Sequence, residues 1–260
     1  MRFTVLGRSP AVPNPGEACA GYLVEGGGTR VMVDIGPGTV AQLLRLCNPS
    51  ELDAIVISHM HTDHFLDLVT LRYSFPWKDE ANPKLKVYLP PGATEQMEHV
   101  ALGAGLPDYF ARSFAFTEHD GVSPLDVRNL RFEPTATVHF VPTWGFRMAA
   151  KGTGENGGRT IAYSADSSPT PNLDILADRA DLFICEAALR SVTDDAPPPE
   201  RRGHLVPEEA GEVAQRGGVG RMVLTHLPVN SDGGSWAVAQ AGTTFEGPVE
   251  VADTLKVWEI

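Results

Sequence analysis

Ser58-His59-Met60-His61-Thr62-Asp63-His64 follows directly on Leu52-Asp53-Ala54-Ile55-Val56-Ile57, an apolar run that reads as a buried strand. The run carries four metal-capable side chains: His59, His61, Asp63 and His64. At a strand end the two-residue period sends His59 and His61 to the same side, whereas a helix would scatter them. Borderline metals such as zinc accept imidazole nitrogen and carboxylate oxygen together, and four donors in one turn exceed what one ion takes from one segment. The turn therefore points to two metal ions that draw further ligands from elsewhere. A solvated histidine-rich loop is the competing reading, and the abrupt join to an apolar strand speaks against it.

The surrounding chain alternates short strands and helices. Strands are expected over residues 3–6, 21–24, 31–34, 84–89, 160–164, 182–185 and 222–225, with strand character and no good helix across 114–148. Helices are expected over 38–46, 65–75, 94–102, 172–176 and 207–215. In the first, Val40, Leu43, Leu44 and Cys47 keep helical spacing; in the second, Leu66, Val69 and Tyr73 share a face. This mixture predicts two sheets covered by helices. The 260 residues contain no convincing linker and no fixed-period repeat, so a single domain over 1–260 is expected. Residues 194–203, rich in proline and charge, read as a surface loop leading into another histidine.

Net charge is −12 and the isoelectric point is near 5.1, so no overall basic character is available to hold a polyanion. Cys19, Cys47 and Cys185 are an odd number without paired spacing, which fits a reducing cytoplasm. The first residues open as a strand with no apolar segment long enough for a signal peptide or a membrane span. A soluble cytoplasmic protein without membrane attachment is the expectation.

Of the eight histidines, six lie at strand ends or just before a helix: His59, His61, His64, His139, His204 and His226. His99 sits within a helical stretch and His119 in a turn, and both read as structural. His139 follows the strand-like Thr135-Ala136-Thr137-Val138. Asp166 ends Thr160-Ile161-Ala162-Tyr163-Ser164-Ala165, where a carboxylate can bridge two cations through its two oxygens. His226 closes Met222-Val223-Leu224-Thr225 in the same manner. Three further strands thus end in a potential ligand.

The order H-x-H-x-D-H, a later His, an Asp after a Y-S-A-D strand and a late T-H-L resembles the metallo-β-lactamase superfamily, hydrolases with a four-layer αββα sandwich. The resemblance spans nearly the whole chain; Gly21-Tyr22-Leu23-Val24 and the D-x-G turn Asp34-Ile35-Gly36 also match. Its ribonuclease Z-like branch is the most similar. That resemblance implies one zinc held by His59, His61 and His139, a second by Asp63, His64 and His226, and Asp166 bridging them. It implies Asp34 as the acceptor that orients a ligand imidazole, and His204 as a residue clear of the metals that reaches the substrate phosphate. Two divalent ions, zinc or alternatively manganese, would supply hydroxide, and Asp63 would take the water's proton. Relatives are often dimeric, so a homodimer is left open, with the apolar face of helix 65–75 at the contact or in the core.

The chain departs from ribonuclease Z in three places. Cys185-Glu186-Ala187-Ala188 stands for H-E-A-T, His204-Leu205-Val206 stands for H-S-T, and 151–159 is only a modest hairpin candidate where relatives carry a tRNA-gripping arm. With the acidic charge, these departures favour a phosphodiesterase of small phosphodiesters such as cyclic nucleotides over RNA. The alternatives are tRNA 3′-end processing, a carboxylic ester, lactone or thioester hydrolase of the same fold, and, remotely, a non-catalytic binding protein. The loops 75–78 and 142–146 offer aromatic residues either as walls beside the metals or as ordinary packing. Cys19 and Cys185 read as structural.

Overall fold

In the computed structural model, residues 1–75, 84–152, 158–193, 195–228 and 233–260 are described. Its strands are β1 (Arg2–Gly7), β2 (Gly21–Gly26), β3 (Thr29–Ile35), β4 (Ala54–Val56), β5 (Leu85–Leu89), β6 (Phe114–Glu118), β7 (Leu125–Val127) and β8 (Leu130–Ala136). They continue as β9 (Trp144–Ala150), β10 (Thr160–Tyr163), β11 (Leu182–Glu186), β12 (Met222–Thr225), β13 (Val249–Val251) and β14 (Val257–Glu259). Among the described residues they form two seven-stranded sheets, ordered β14-β1-β2-β3-β4-β5-β6 and β13-β12-β11-β10-β9-β8-β7. In each, an antiparallel part adjoins a parallel part: β3 through β6 run parallel in the first sheet and β10 through β13 in the second.

The two-residue period explains the layering. Phe3 and Val5, Tyr22 and Val24, Val31 and Val33 point between the sheets, where they meet Phe132, Phe146, Tyr163, Ile184 and Val223 of the second sheet. The intervening Leu6, Leu23, Met32 and Ile35 face outward and are covered by α1 (Thr39–Leu43), α2 (Thr62–Phe65), α3 (Leu68–Leu71) and α4 (Ala93–Gly103). On the far side, α5 (Asn172–Ala177), α6 (Pro207–Gly217) and α7 (Ser235–Ala241) cover Ala162, Phe183, Cys185 and Leu224. The parallel strands are apolar on both faces because helices and a second sheet bury both. The result is the αββα sandwich of the metallo-β-lactamase fold.

Two sequence expectations are corrected. Residues 65–75 do not form one helix: the chain makes the short α2 and α3 and a 3-10 turn over Arg72–Ser74. The break has a local cause, because the Asp67 N–H donates to the Ile35 carbonyl of β3 at 3.0 Å instead of continuing the helical ladder. The buried positions are Phe65, Leu68, Leu71 and Arg72, while Leu66 and Tyr73 are exposed. In the helix expected over 38–46, regular structure ends at Leu43 and Leu44 is exposed. Of the two readings of 142–146, ordinary packing holds: Phe146 and Trp144 pack with the inter-sheet core. Pro76, Trp77 and Lys78 of the other aromatic loop, and 153–157 of the β9–β10 connection, lie outside the described residues.

Strands β13 and β14 and helix α7 had not been expected. Each strand has three residues and is defined by its partner: Met222 pairs with Val249, and Phe3 with Trp258. Helix α7 starts after Gly234 with no side-chain cap to announce it.

Candidate metal centre

Most of the donors hang from the carboxyl ends of strands on one rim of the sandwich. Residues 58–61 leave β4, and His61 starts α2, which contributes Asp63 and His64. His139 follows β8, Asp166 follows β10 and His226 follows β12. Asp34 in β3, Ala165 and His226 have φ of 56°, 52° and 58°. Left-handed backbone is uncommon outside glycine, and here it lies at the turns that bring donors to the rim.

These residues form two groups of donor atoms, each mutually within 4.8 Å: His59, His61, His139 and Asp166; and Asp63, His64, Asp166 and His226. Asp166 belongs to both. Its Oδ2 lies 3.8 Å from His59 Nε2, 3.7 Å from His139 Nε2 and 3.3 Å from His226 Nε2, and its Oδ1 lies 3.4 Å from His64 Nε2. His59 and His64, one from each group, have ring centroids 4.0 Å apart.

The hydrogen bonds fix which nitrogens point inward. His139 Nδ1 donates to the Gly203 carbonyl at 2.7 Å, so its Nε2 carries a lone pair. Ser58 Oγ donates to Asp34 Oδ2 at 2.8 Å and so accepts from His59 Nδ1 at 3.0 Å, which leaves His59 Nε2 bare. His64 Nδ1 donates to Asp34 Oδ2 at 2.8 Å, and its buried Nε2 has no hydrogen-bond partner. The bare nitrogens of His59 and His139 lie 3.2 and 2.9 Å from His61 Nδ1. Lone pairs brought this close repel unless a proton or cation lies between them. Asp34 is further held by the Ser58 N–H at 2.7 Å and the Tyr163 hydroxyl at 2.8 Å.

The charges lead to the same conclusion. Asp34, Asp63, Asp166 and Glu186 are all buried, and their ion pairs among the described residues are made with imidazoles. Buried carboxylates without compensating charge are costly. Burial first, and His64 next, push His59 well below the ordinary imidazole pKa. Burial likewise lowers His61, His139 and His226. On His64 burial opposes the charge, yet Asp166 and Asp34 outweigh it and raise the pKa well above the ordinary value. A divalent cation at Nε2 would replace that proton, and the neutral imidazoles are ready ligands. The donor set fits divalent metal binding.

His204 stands beside this cluster, its ring centroid 4.9 Å from His139 and 5.7 Å from His226. Its Nδ1 lies 3.1 Å from Glu186 Oε1. Burial again opposes charge, but Glu186 outweighs it and raises His204 to about 9. Glu186 closes β11, is fully buried, and accepts the N–H groups of Ser167, Ala188 and Leu205. Sequence reasoning passed over Glu186, although a carboxylate ending the otherwise apolar Leu182-Phe183-Ile184-Cys185 was a visible signal. His99 is exposed on α4. His119 is buried edge-on to Trp144, and its Nδ1 accepts the Gly121 N–H, away from the donors. Cys19 and Cys185 are buried, and burial raises both thiols, Cys19 to about 11.

Fold and site together define a metallo-hydrolase, and the chain belongs to the beta-lactamase superfamily: the model of the beta-lactamase superfamily domain matches residues 29–227. Within it, the chain is similar to the probable metallo-hydrolase YhfI of Bacillus subtilis (strain 168), 29% identical over 267 residues covering all of both chains. The crystal structure of YhfI superposes with a TM-score of 0.83 at 26% identity, covering 99% of each chain. A ribonuclease Z of Mycobacterium sp. (strain KMS) is 30% identical over 289 residues, covering all of this chain and 96% of that protein. Human tRNase Z, short form, shares the fold with a TM-score of 0.74 at 22% identity, over 100% and 99% of the two chains. No helix among the described residues is long and apolar enough to cross a membrane.

Proposed function

We propose that the protein is a dinuclear-metal-dependent phosphodiesterase of small phosphodiesters such as cyclic nucleotides. The observation that carries this reading is the pair of donor groups meeting at Asp166 with the His204–Glu186 pair alongside. Two divalent cations, zinc or manganese, would supply a hydroxide nucleophile at neutral pH and offset phosphate charge. His59, His61 and His139 would hold one, Asp63, His64 and His226 the other, with Asp166 shared and Asp34 orienting His64. Asp63 accepts the proton of the attacking water. His204, cationic below about pH 9, donates to a phosphoryl oxygen and then protonates the departing ester oxygen as the P–O bond breaks. Transfer of the Asp63 proton to solvent and reprotonation of His204 restore both groups.

The imidazolium separates phosphate from carbon esters, because an anionic diester gains from a fixed cation already in the ground state and more as charge gathers in the transition state. The test is hydrolysis of bis-p-nitrophenyl phosphate and cyclic nucleotides by the zinc- or manganese-loaded protein. His204→Ala should remove most diester turnover; turnover unaffected by it would refute the phosphate-handling role. Glu186→Gln should move the alkaline limb of the rate profile down from about pH 9 toward the ordinary imidazole range, since the carboxylate holds the proton on His204.

A second reading, tRNA 3′-end processing, is favoured by the similarity to a ribonuclease Z along the whole chain. The net charge of −12 and the Cys185-Glu186-Ala187-Ala188 and His204-Leu205-Val206 departures weigh against it. Cleavage of precursor tRNA at the mature 3′ end would establish it.

A further inference from the structure

Phe140 directly follows His139, and its side chain is 65% exposed. The ring centroid lies 4.9 Å from the His139 ring and 6.0 Å from the His204 ring, so the aromatic surface adjoins both the metal donors and the imidazolium. Its position is built. A Cβ placed on Gly203 would meet Cε2 and Cζ of Phe140 at 2.3 Å, so the ring rests directly against the Gly203 α-carbon. Gly203 is itself held in a left-handed turn with φ of 80°. Its N–H donates to Ser168 Oγ at 2.7 Å and its carbonyl accepts from His139 Nδ1 at 2.7 Å. The loop that orients a metal donor therefore also seats the ring, with much of its surface left to solvent. Trp144 and Phe146, which follow in the chain, instead pack with the core.

We propose that Phe140 is a specificity-determining residue, a platform on which the planar part of a phosphodiester, a nucleobase in the case of a cyclic nucleotide, stacks while the phosphate occupies the donor cluster. This rests on the phosphodiesterase reading and narrows its substrate class to diesters that carry an aromatic group. Stacking tolerates any base, because every base presents a π-face. Base identity should therefore matter little, while aliphatic diesters should bind weakly.

The test compares the metal-loaded wild-type protein with Phe140→Ala and Phe140→Trp, using calorimetric binding of adenosine 5′-monophosphate and of ribose 5-phosphate, which lacks the base. Wild type should prefer the nucleotide. Phe140→Ala should raise the nucleotide Kd about 5- to 100-fold, the effect expected for one base–aromatic stack. Its ribose 5-phosphate Kd should stay within about twofold, as phosphate contacts are untouched, which also reports an intact fold. Phe140→Trp should restore the preference. With cyclic AMP as substrate, Phe140→Ala should raise KM and leave kcat unchanged. An absent nucleotide preference in wild type, or one that survives Phe140→Ala, would overturn the platform. Because binding is measured without turnover, a protein that shows the preference yet cleaves no diester would instead overturn the phosphodiesterase reading.

Discussion

Asp63, His64, Asp166 and His226 are buried throughout, whereas in the other donor group His61 and His139 are only partly buried. The supports differ in the same direction. His64 is fixed by Asp34, which Ser58 and Tyr163 hold in turn, all of them buried. His139 is fixed by the carbonyl of Gly203, on the loop that also carries His204 and seats Phe140. One group is thus anchored in the core and the other opens toward His204 and Phe140. In the proposed two-cation reading, the buried group holds its ion more tightly and the outer group gives up its ion first to a chelator.

The largest expected effect comes from the residue that both groups share. Asp166→Asn removes a charge from each and should lower metal content measured by elemental analysis. Diester turnover should fall by more than the about 100-fold that loss of an outer-shell partner typically costs. Equal loss at both sites would mark Asp166 as a true bridge; loss at one would assign it to that group alone.

A contrast with His119 sharpens the account of the cluster. His119 is also buried, but aromatic rings surround it and burial pushes its pKa from 6.5 down to about 4. At pH 7 this imidazole is neutral in the folded chain and mostly neutral in the unfolded one. Between pH 6.5 and 4 mainly the unfolded chain takes it up, so folding stability falls as pH falls, by about 3 kcal/mol. Denaturant titrations across this window should show a shallower slope for His119→Phe than for wild type.

Asp34→Asn tests the buried group most directly, because Asp34 bonds His64 itself and reaches His59 of the outer group only through Ser58 Oγ. Asparagine tolerates the left-handed backbone at this position, so the fold should survive. The neutral amide holds His64 Nδ1–H less firmly, and affinity for the tighter ion should fall about 10- to 100-fold, read by chelator competition. An equal loss at the outer group would erase the distinction drawn above. The alkaline-limb shift of Glu186→Gln is the smallest of these effects.

The donors were legible because most lie just beyond the end of a strand, so a local pattern announces residues that folding gathers to one rim. His59, His61, Asp63 and His64 are gathered by a single turn, and His139, Asp166 and His226 by β8, β10 and β12, which run in one direction, β8 through two antiparallel steps across β9. The buried face of 65–75 was not legible, since one hydrogen bond from Asp67 to Ile35 decides it. Nor was the seat of Phe140, because the bare α-carbon of Gly203 has meaning only once His139 and Gly203 are bonded across the fold. Glu186 stood in plain view as a carboxylate at a strand end, and its three backbone donors and His204 appeared only in three dimensions.

The most direct test is a titration of chelator-treated protein with zinc, following cyclic AMP or bis-p-nitrophenyl phosphate hydrolysis and bound metal together. The account predicts that diester turnover appears with metal and saturates at two ions per chain. Saturation at one ion, or two bound ions with no turnover of any phosphodiester, would contradict it.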